Sequence, residues 1–433
     1  MSITAKEHHV TTRTTTESAV VQELMSHYQA GTLGRREVVR ALGALGIAAA
    51  ALPAFVRGAT AQDASPAAEE APPAPATPVL GEQADGTTVW RVVVGGMDMM
   101  ALLEINAFLP GEITINAGDS IFFDFGPMGG FHNVRFGTEP VPLIIPAEGV
   151  ELGLEATPSA AAGATPLALN PAVMFPNPPE GAVTYDGTAD VNSGIYFFRD
   201  PSQPYVVTFP TAGTYQFVCD VHLGMVGTLT VQEAGSDLPM DQAAIDELGA
   251  QQLADYMERG AAFAEEYAAS GTPEASVHEV LAGVSDGQVE ALAFLPARVE
   301  VAAGDTVRWT NRSGISPHTV TFLGGTPAPE DVIPVEGAGG PPMFVFSPIT
   351  FYPSDLQGTY TGEGYLNSGY LFGAELAAVL TVPGYEVPSS FEVTFDTPGE
   401  YGYYCILHAG APEGADNTDA AAFEGMVGVV VVS

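Results

Sequence analysis

The chain has 433 residues, 46% of them hydrophobic and 15% charged, with 52 acidic side chains against 13 basic ones and a formal charge of −39. That length exceeds one ordinary domain and suits two domains with a leader and a linker. The acidic balance excludes nucleic acid as an ordinary partner, because phosphate binding needs a basic face, and it disfavours docking to anionic membranes.

In chain order, residues 1–61 read as a twin-arginine export signal. Arg35-Arg36 precede the apolar run Ala41 to Val56 and the small-residue site Ala59-Thr60-Ala61. The run is short and rich in Ala and Gly, which favours a cleaved signal over a membrane span, and no later stretch of the mature chain is apolar enough to span. Glu17, Glu23 and Glu37 disfavour a mitochondrial-type presequence. The expected location is periplasmic or extracellular, the cell surface included.

Residues 62–86 are rich in Ala, Pro and Glu and are expected to form a disordered tether. Strands are expected from about Val89, opening a first unit over residues 87–233. Gly 49 and Pro 35, with short alternating apolar runs, favour an all-β reading. A long Pro-rich stretch, Glu139 to Asp190, interrupts this unit, and Pro327 to Leu371 is its counterpart later in the chain. Insertions of this length wall a site or join two units. Asp241 to Ser270 carries Ile245, Leu248, Tyr256, Met257, Phe263 and Tyr267 near helical spacing, with Asp241 as N-cap and Gly271-Thr272-Pro273 as a stop. It predicts a helical linker within residues 234–274, its aromatic residues packed against a domain, before a second unit over residues 275–433.

The two units repeat one another. His132 and His318, Cys219 and Cys405, and His222 and His408 are each 186 residues apart. Phe108-Leu109-Pro110 returns as Phe294-Leu295-Pro296 and Ala117-Gly118-Asp119 as Ala303-Gly304-Asp305 at the same spacing, whereas Asn192 to Gly194 returns as Asn367 to Gly369 after 175. Each unit holds Cys-x-x-His followed by Gly-Met-Val-Gly, so the candidate metal ligands are His132, Cys219, His222 and Met225 in the first and His318, Cys405, His408 and Met426 in the second. Two imidazoles, one thiolate and a weak axial thioether form the ligand set of a blue-copper electron-transfer site. Cys219 and Cys405 are the only cysteines, so no disulfide framework competes for them; a bridge between the two would leave both ligand sets unexplained.

At these residues the chain resembles the cupredoxin family. Phe131-His132-Asn133-Val134 and Pro317-His318-Thr319-Val320 are similar to the Pro-His-Asn-Val segment of plastocyanins, and the two Gly-Met-Val-Gly segments match the one that carries the axial methionine there. The first Cys-x-x-His-x-x-Met has amicyanin-like spacing. In the second unit Met426 follows His408 by 18 residues rather than 3, so an insertion of 15 residues, about Ala409 to Phe423, is expected to widen the ligand loop. The resemblance implies two tandem cupredoxin Greek-key β-sandwiches, each with one type 1 copper ion. It also implies that His222 and His408 lie on exposed loops and act as electron ports.

The expected function is single-electron transfer between redox partner proteins, not catalysis. The acidic surface either keeps an exported protein solvated or steers a basic partner. A nitrite reductase or multicopper oxidase of two such domains is the rival, but Val218 and Tyr404 precede the cysteines where those families place a histidine, and there is no His-x-His pair. His278, the one other histidine of the mature chain, reads as a partly exposed strand residue aligned with Trp90. Copper storage or delivery is a third reading, disfavoured by the absence of Cys-x-x-Cys. The two centres are expected to differ in potential, the first being higher, because the longer second loop carries Glu413, Asp416, Asp419 and Glu424.

Overall fold

The computed structural model describes residues 77–433, apart from residues 99, 127–129, 138, 140, 151, 153–157, 179–182, 196–203, 270–275, 336–341, 357–358, 381, 383–384 and 413–416. The export signal and most of the expected tether therefore lie outside the described residues.

The first repeat contains β1 (Gly81–Glu82), β2 (Thr88–Asp98), β3 (Leu103–Leu109), β4 (Glu112–Asn116), β5 (Ser120–Asp124) and β6 (Arg135–Phe136). It continues through β7 (Ile144–Pro146), β8 (Leu167–Leu169), β9 (Val183–Thr184), β10 (Val191–Asn192), β11 (Tyr205–Thr208), β12 (Gly213–Val218) and β13 (Val226–Gln232). After a helix, Gln242–Ala269, the second repeat opens with β14 (Val277–Ser285), β15 (Val289–Leu295), β16 (Arg298–Val301), β17 (Thr306–Arg312) and β18 (Thr321–Phe322). It closes with β19 (Val332–Val335), β20 (Met343–Phe346), β21 (Leu366–Asn367), β22 (Ser390–Thr394), β23 (Gly399–Gly410) and β24 (Glu424–Val432).

Each repeat is a sandwich of two sheets. Strands β13 and β24 alternate between buried and outward residues, the period-2 pattern of a sheet with one face on a core. The first core gathers Trp90, Val92, Phe108, Phe123, Phe136 and Phe217, and the second gathers Val280, Phe294, Trp309, Phe322 and Tyr403. The outer face sheets of the two sandwiches are one continuous ten-stranded sheet, ordered β22-β17-β14-β15-β3-β2-β5-β11-β9 with β1 beside β2. The repeats are thus fused edge to edge where β3 pairs antiparallel with β15. Closing two exposed edges against each other removes two rows of unpaired backbone groups.

The helix connects the repeats in sequence and also covers this seam. Asp241 caps it, its side chain accepting from the Ala244 N–H at 2.9 Å. Tyr256, Met257, Phe263 and Tyr267 pack, as their spacing predicted, together with Leu253 on Leu103, Ile105, Leu109, Val289 and Leu295, while Ile245 joins the core of the first sandwich. Strands β3 and β15 are consequently buried on both faces.

The two Pro-rich insertions join the repeats a second time. They supply a four-stranded sheet, β19-β20-β8-β7, in which Phe344 of the second repeat pairs with Leu169 of the first. Beneath it lies a cluster of Met174, Ile195, Phe344, Phe351, Tyr370 and Phe372, against which Phe131, Val221 and Leu407 of the candidate ligand segments pack. One correction falls at the start: strand structure begins at Gly81, inside the expected tether. Asp85 accepts from both the backbone N–H and the hydroxyl of Thr87, which fixes a turn and lays β1 on β2.

Candidate metal centres

In the first repeat His132 precedes β6, Cys219 follows β12, and a tight turn carries His222 and Met225 into β13. The turn is closed by the Cys219 N–H donating to the Met225 carbonyl at 3.0 Å and the Met225 N–H donating to the His222 carbonyl at 3.1 Å. The Nδ1 atoms of His132 and His222 stand 2.9 Å apart, and Cys219 Sγ lies 3.8 and 3.7 Å from them. The second repeat reproduces the triangle: His318 and His408 Nδ1 are 3.1 Å apart, with Cys405 Sγ at 3.8 and 3.4 Å. Bonds of about 2.0–2.1 Å to nitrogen and about 2.3 Å to thiolate sulfur fit inside triangles of this size. Among the described residues these are the two groups of donors so arranged.

Met225 and Met426 are 2% and 0% exposed and lie in the same buried clusters as Cys219 and Cys405. The second-repeat insertion does not widen the ligand loop as expected. The β23–β24 register breaks between Tyr404 and Ala409, then resumes with Ala409 opposite Gly425 and Gly410 opposite Glu424. Ala409 and Gly410 prolong the hairpin beyond the Cys405–His408 bulge by pairing with Gly425 and Glu424, and leave Met426 on the strand facing it. Asp419 caps the short turn Ala420–Ala422 by accepting from the Ala421 N–H, and Glu424 is exposed; Glu413 and Asp416 lie outside the described residues.

The rings of His132 and His318 enter through two matched backbone bulges. The β2 register shifts between Val94 and Gly96 and that of β14 between Ala282 and Val284. Gly95 and Gly283 take left-handed φ of +64° and +79°, and a Cβ at either would sit 2.3 or 2.1 Å from the Nε2 of His132 or His318. Neither glycine drew notice from the sequence.

The residue after each first histidine ties it to the cysteine segment. Asn133 donates to Asp220 and accepts from the Asp220 N–H at 2.7 Å, and Asp220 forms a buried ion pair with Arg135. In the second repeat Thr319 accepts from the Ile406 N–H at 2.9 Å and its own N–H reaches Cys405 Sγ at 3.3 Å. Ile406 and Thr321 replace the ion pair. His222, expected on an exposed loop, is buried at 5% exposure because Val221 packs into the cluster made by the insertions; His408 is half-buried. Leu223 and Val226 are exposed beside it. The charge of His408 is one of the influences, after burial and His132, that disfavour protonation of His222.

Buried acids at the seam are a feature that sequence reading missed. Glu104 of β3 stands opposite Glu290 of β15, at 4% and 0% exposure, and Glu290 Oε1 lies 2.8 Å from His318 Nε2. An acid held at the 186 spacing inside two apolar strands was the available signal.

Electrostatically the metal-free centres diverge. Burial pushes the Cys219 thiol up to about 12 and His132 down to about 3, and burial followed by the charge of His132 holds His222 well below its usual range. The first centre is therefore a set of neutral groups. At the second, burial opposes every charge but partners prevail. Hydrogen bonds to Cys405 and Glu290 lift His318 to about 9, while the charge of His408 and the imidazole hydrogen bonds hold the Cys405 thiol well below its usual value. Glu290 is likewise lowered by His318 against its burial, whereas burial and the Glu290 charge push Glu104 up to about 7. His278 sits on β14 with Nε2 3.0 Å from Asp305, the position of the Trp90 indole on Asp119 in the first repeat.

No family model matches the chain. It is 32% identical over 157 residues to plastocyanin of Vicia faba, a match covering 36% of this chain and 99% of that protein. The chain belongs to the plastocyanin-like cupredoxins. Plastocyanin of Scenedesmus fuscus is 31% identical over 121 residues, covering 28% of this chain and 80% of the relative. With chloroplastic plastocyanin of Tetradesmus obliquus, 32% identical over 142 residues, the cupredoxin match covers 33% of this chain and spans 59% of that protein's length. A solved structure of a Cu(I) amicyanin mutant aligns at 17% identity and a TM-score of 0.18, over 38% of this chain and 89% of its own.

Proposed function

We propose that the protein is an exported electron carrier with two type 1 copper centres, one per repeat, divided as residues 1–61 signal, 62–86 tether, 87–233 and 275–433 cupredoxin domains, and 234–274 linker. The observation that carries this reading is the pair of triangles in which two Nδ1 atoms and one Sγ converge, the first buried and the second buried but for His408. His132, Cys219, His222 and Met225 would hold one ion, and His318, Cys405, His408 and Met426 the other. Bound copper would supply one-electron chemistry. The chain's own part is to hold the donors: the bulges at Gly95 and Gly283 seat one imidazole, the Asn133 and Thr319 tethers fix the cysteine segment, and the apolar clusters exclude water.

Among the described residues no helix is long and apolar enough to cross a membrane, and the twin-arginine segment supports export to the periplasm or cell exterior. The acidic surface fits solvation or a basic redox partner. His278, bound to Asp305, has a structural role that does not call on a further copper, which favours a carrier over a nitrite or oxygen reductase.

Copper analysis of the purified protein should give two ions per chain with an intense thiolate-to-copper visible band. Cys219→Ser and Cys405→Ser should each lose one ion and part of the band. A double variant that retained both ions would overturn the assignment.

A further inference from the structure

The seam brings the repeats together at their own symmetry: Glu104 and Glu290 are counterparts at the 186 spacing and are paired with each other. Identical surroundings would be expected for the two histidines that lie behind them. The structure breaks this equivalence. Glu290 Oε1 is 2.8 Å from His318 Nε2, both fully buried. His132 Nε2 has no carboxylate bonded to it: the neutral Ile105 carbonyl is the group that favours its protonation, and Glu104 Oε1, which lies on the same side near Gly130, makes no hydrogen bond to it.

We propose that Glu290 is a positioning residue that polarises His318 and so makes the second centre hold the cupric state more tightly, leaving the first as the site where an electron shared within one chain resides. This rests on the reading of both triads as copper centres. A carboxylate that accepts the Nε2 proton fixes the tautomer, orients the ring and strengthens donation from Nδ1. A stronger donor favours the more highly charged metal. Exchange between the centres balances without any bond or proton moving: one centre is oxidised by one electron as the other is reduced.

Other charged groups bear on both cysteines, Asp220 on Cys219 and the buried Asp331 on Cys405, so the effect of Glu290 is read from its own variant. The Thr319 N–H on Cys405 Sγ favours the reduced state, and the backbone N–H groups of Asn133, His222 and Val221 act on Cys219 in the same sense. The Arg135–Asp220 pair carries no net charge. Asp419 is occupied in capping a turn and Glu424 is exposed.

The test is redox titration of the copper-loaded full chain, with Cys219→Ser and Cys405→Ser isolating each centre, followed by the visible band and the copper paramagnetic spectrum. The second centre should have the lower midpoint. Glu290→Gln keeps the shape and an acceptor oxygen but loses the charge. It should raise that midpoint, shift the electron distribution about tenfold or more towards the second centre, the scale of one charge-assisted hydrogen bond, and alter the second centre's spectrum alone. Equal midpoints in the isolated centres, or a midpoint unmoved by Glu290→Gln, would overturn the inference. If Glu290→Gln does not fold, the comparison of isolated centres with Glu290 in place still decides it. A protein that never develops the visible band would instead overturn the copper reading beneath it.

Discussion

The two centres share their donors and the glycine bulges that seat one imidazole, and differ in the charged groups one layer out. Around Cys219 the neighbours are an ion pair, Arg135 with Asp220, and a histidine whose outer nitrogen has no hydrogen-bond partner. Around Cys405 the ion pair is gone, a carboxylate grips the equivalent histidine, and the added hairpin residues lie beyond the ligand bulge. Duplication kept the atoms that converge and let their surroundings drift, as expected if donor geometry is the stricter constraint and outer residues tune it.

The largest expected effect tests the feature the centres have in common. Gly283→Ala places a Cβ about where His318 Nε2 stands, so it should abolish copper binding at the second centre while the first retains its ion; Gly95→Ala should do the reverse. Metal content and the visible band measure both. If either variant disturbed the two centres equally, they would not be independent units on a common seam.

Next in size is the ion pair that the first repeat alone possesses. Asp220→Asn leaves a buried guanidinium without its charge partner and should cost about 3–5 kcal/mol. Denaturant unfolding followed through Trp90, in a Trp309→Phe background, reads the first repeat separately. A loss below about 1 kcal/mol would mean that Arg135 finds adequate compensation in Asp190, 3.7 Å away.

The smallest effect is on pH response in the copper-free protein. Cys405 should ionise at a lower pH than Cys219, measured by thiolate ultraviolet absorbance in the two single-cysteine variants. The linked stability has a definite sign. The Cys219 thiol is raised from 9.0 to about 12 on folding, so its contribution is present below pH 9 and lost as pH rises towards 12. His132 falls from 6.5 to about 3, so above pH 6.5 it is neutral in both states and stability is lost as pH drops from 6.5 towards 3. Trp90 should report both losses. Equal thiol titrations would remove the electrostatic contrast between the centres.

The sequence by itself determined the two cupredoxin repeats, the six donor positions that the structure brings into two triangles, and the helix with its cap at Asp241. Those features are local or periodic: strand alternation, a Cys-x-x-His turn, apolar residues at helical spacing, and a repeat that needs only counting. Tertiary structure decided what depends on which edges and faces meet. The fusion of β3 with β15 placed Glu104 opposite Glu290 and put an acid on His318 but not on His132. The insertions, which sequence left between walling a site and joining the units, do both, and they bury His222 by packing on Val221. No pattern within one repeat encodes the register between two repeats. That register is set by the apolar faces that the helix closes over the seam and by the second junction in the four-stranded sheet, through contacts such as Glu104–Glu290 and Leu169–Phe344 that are 186 and 175 residues apart in sequence.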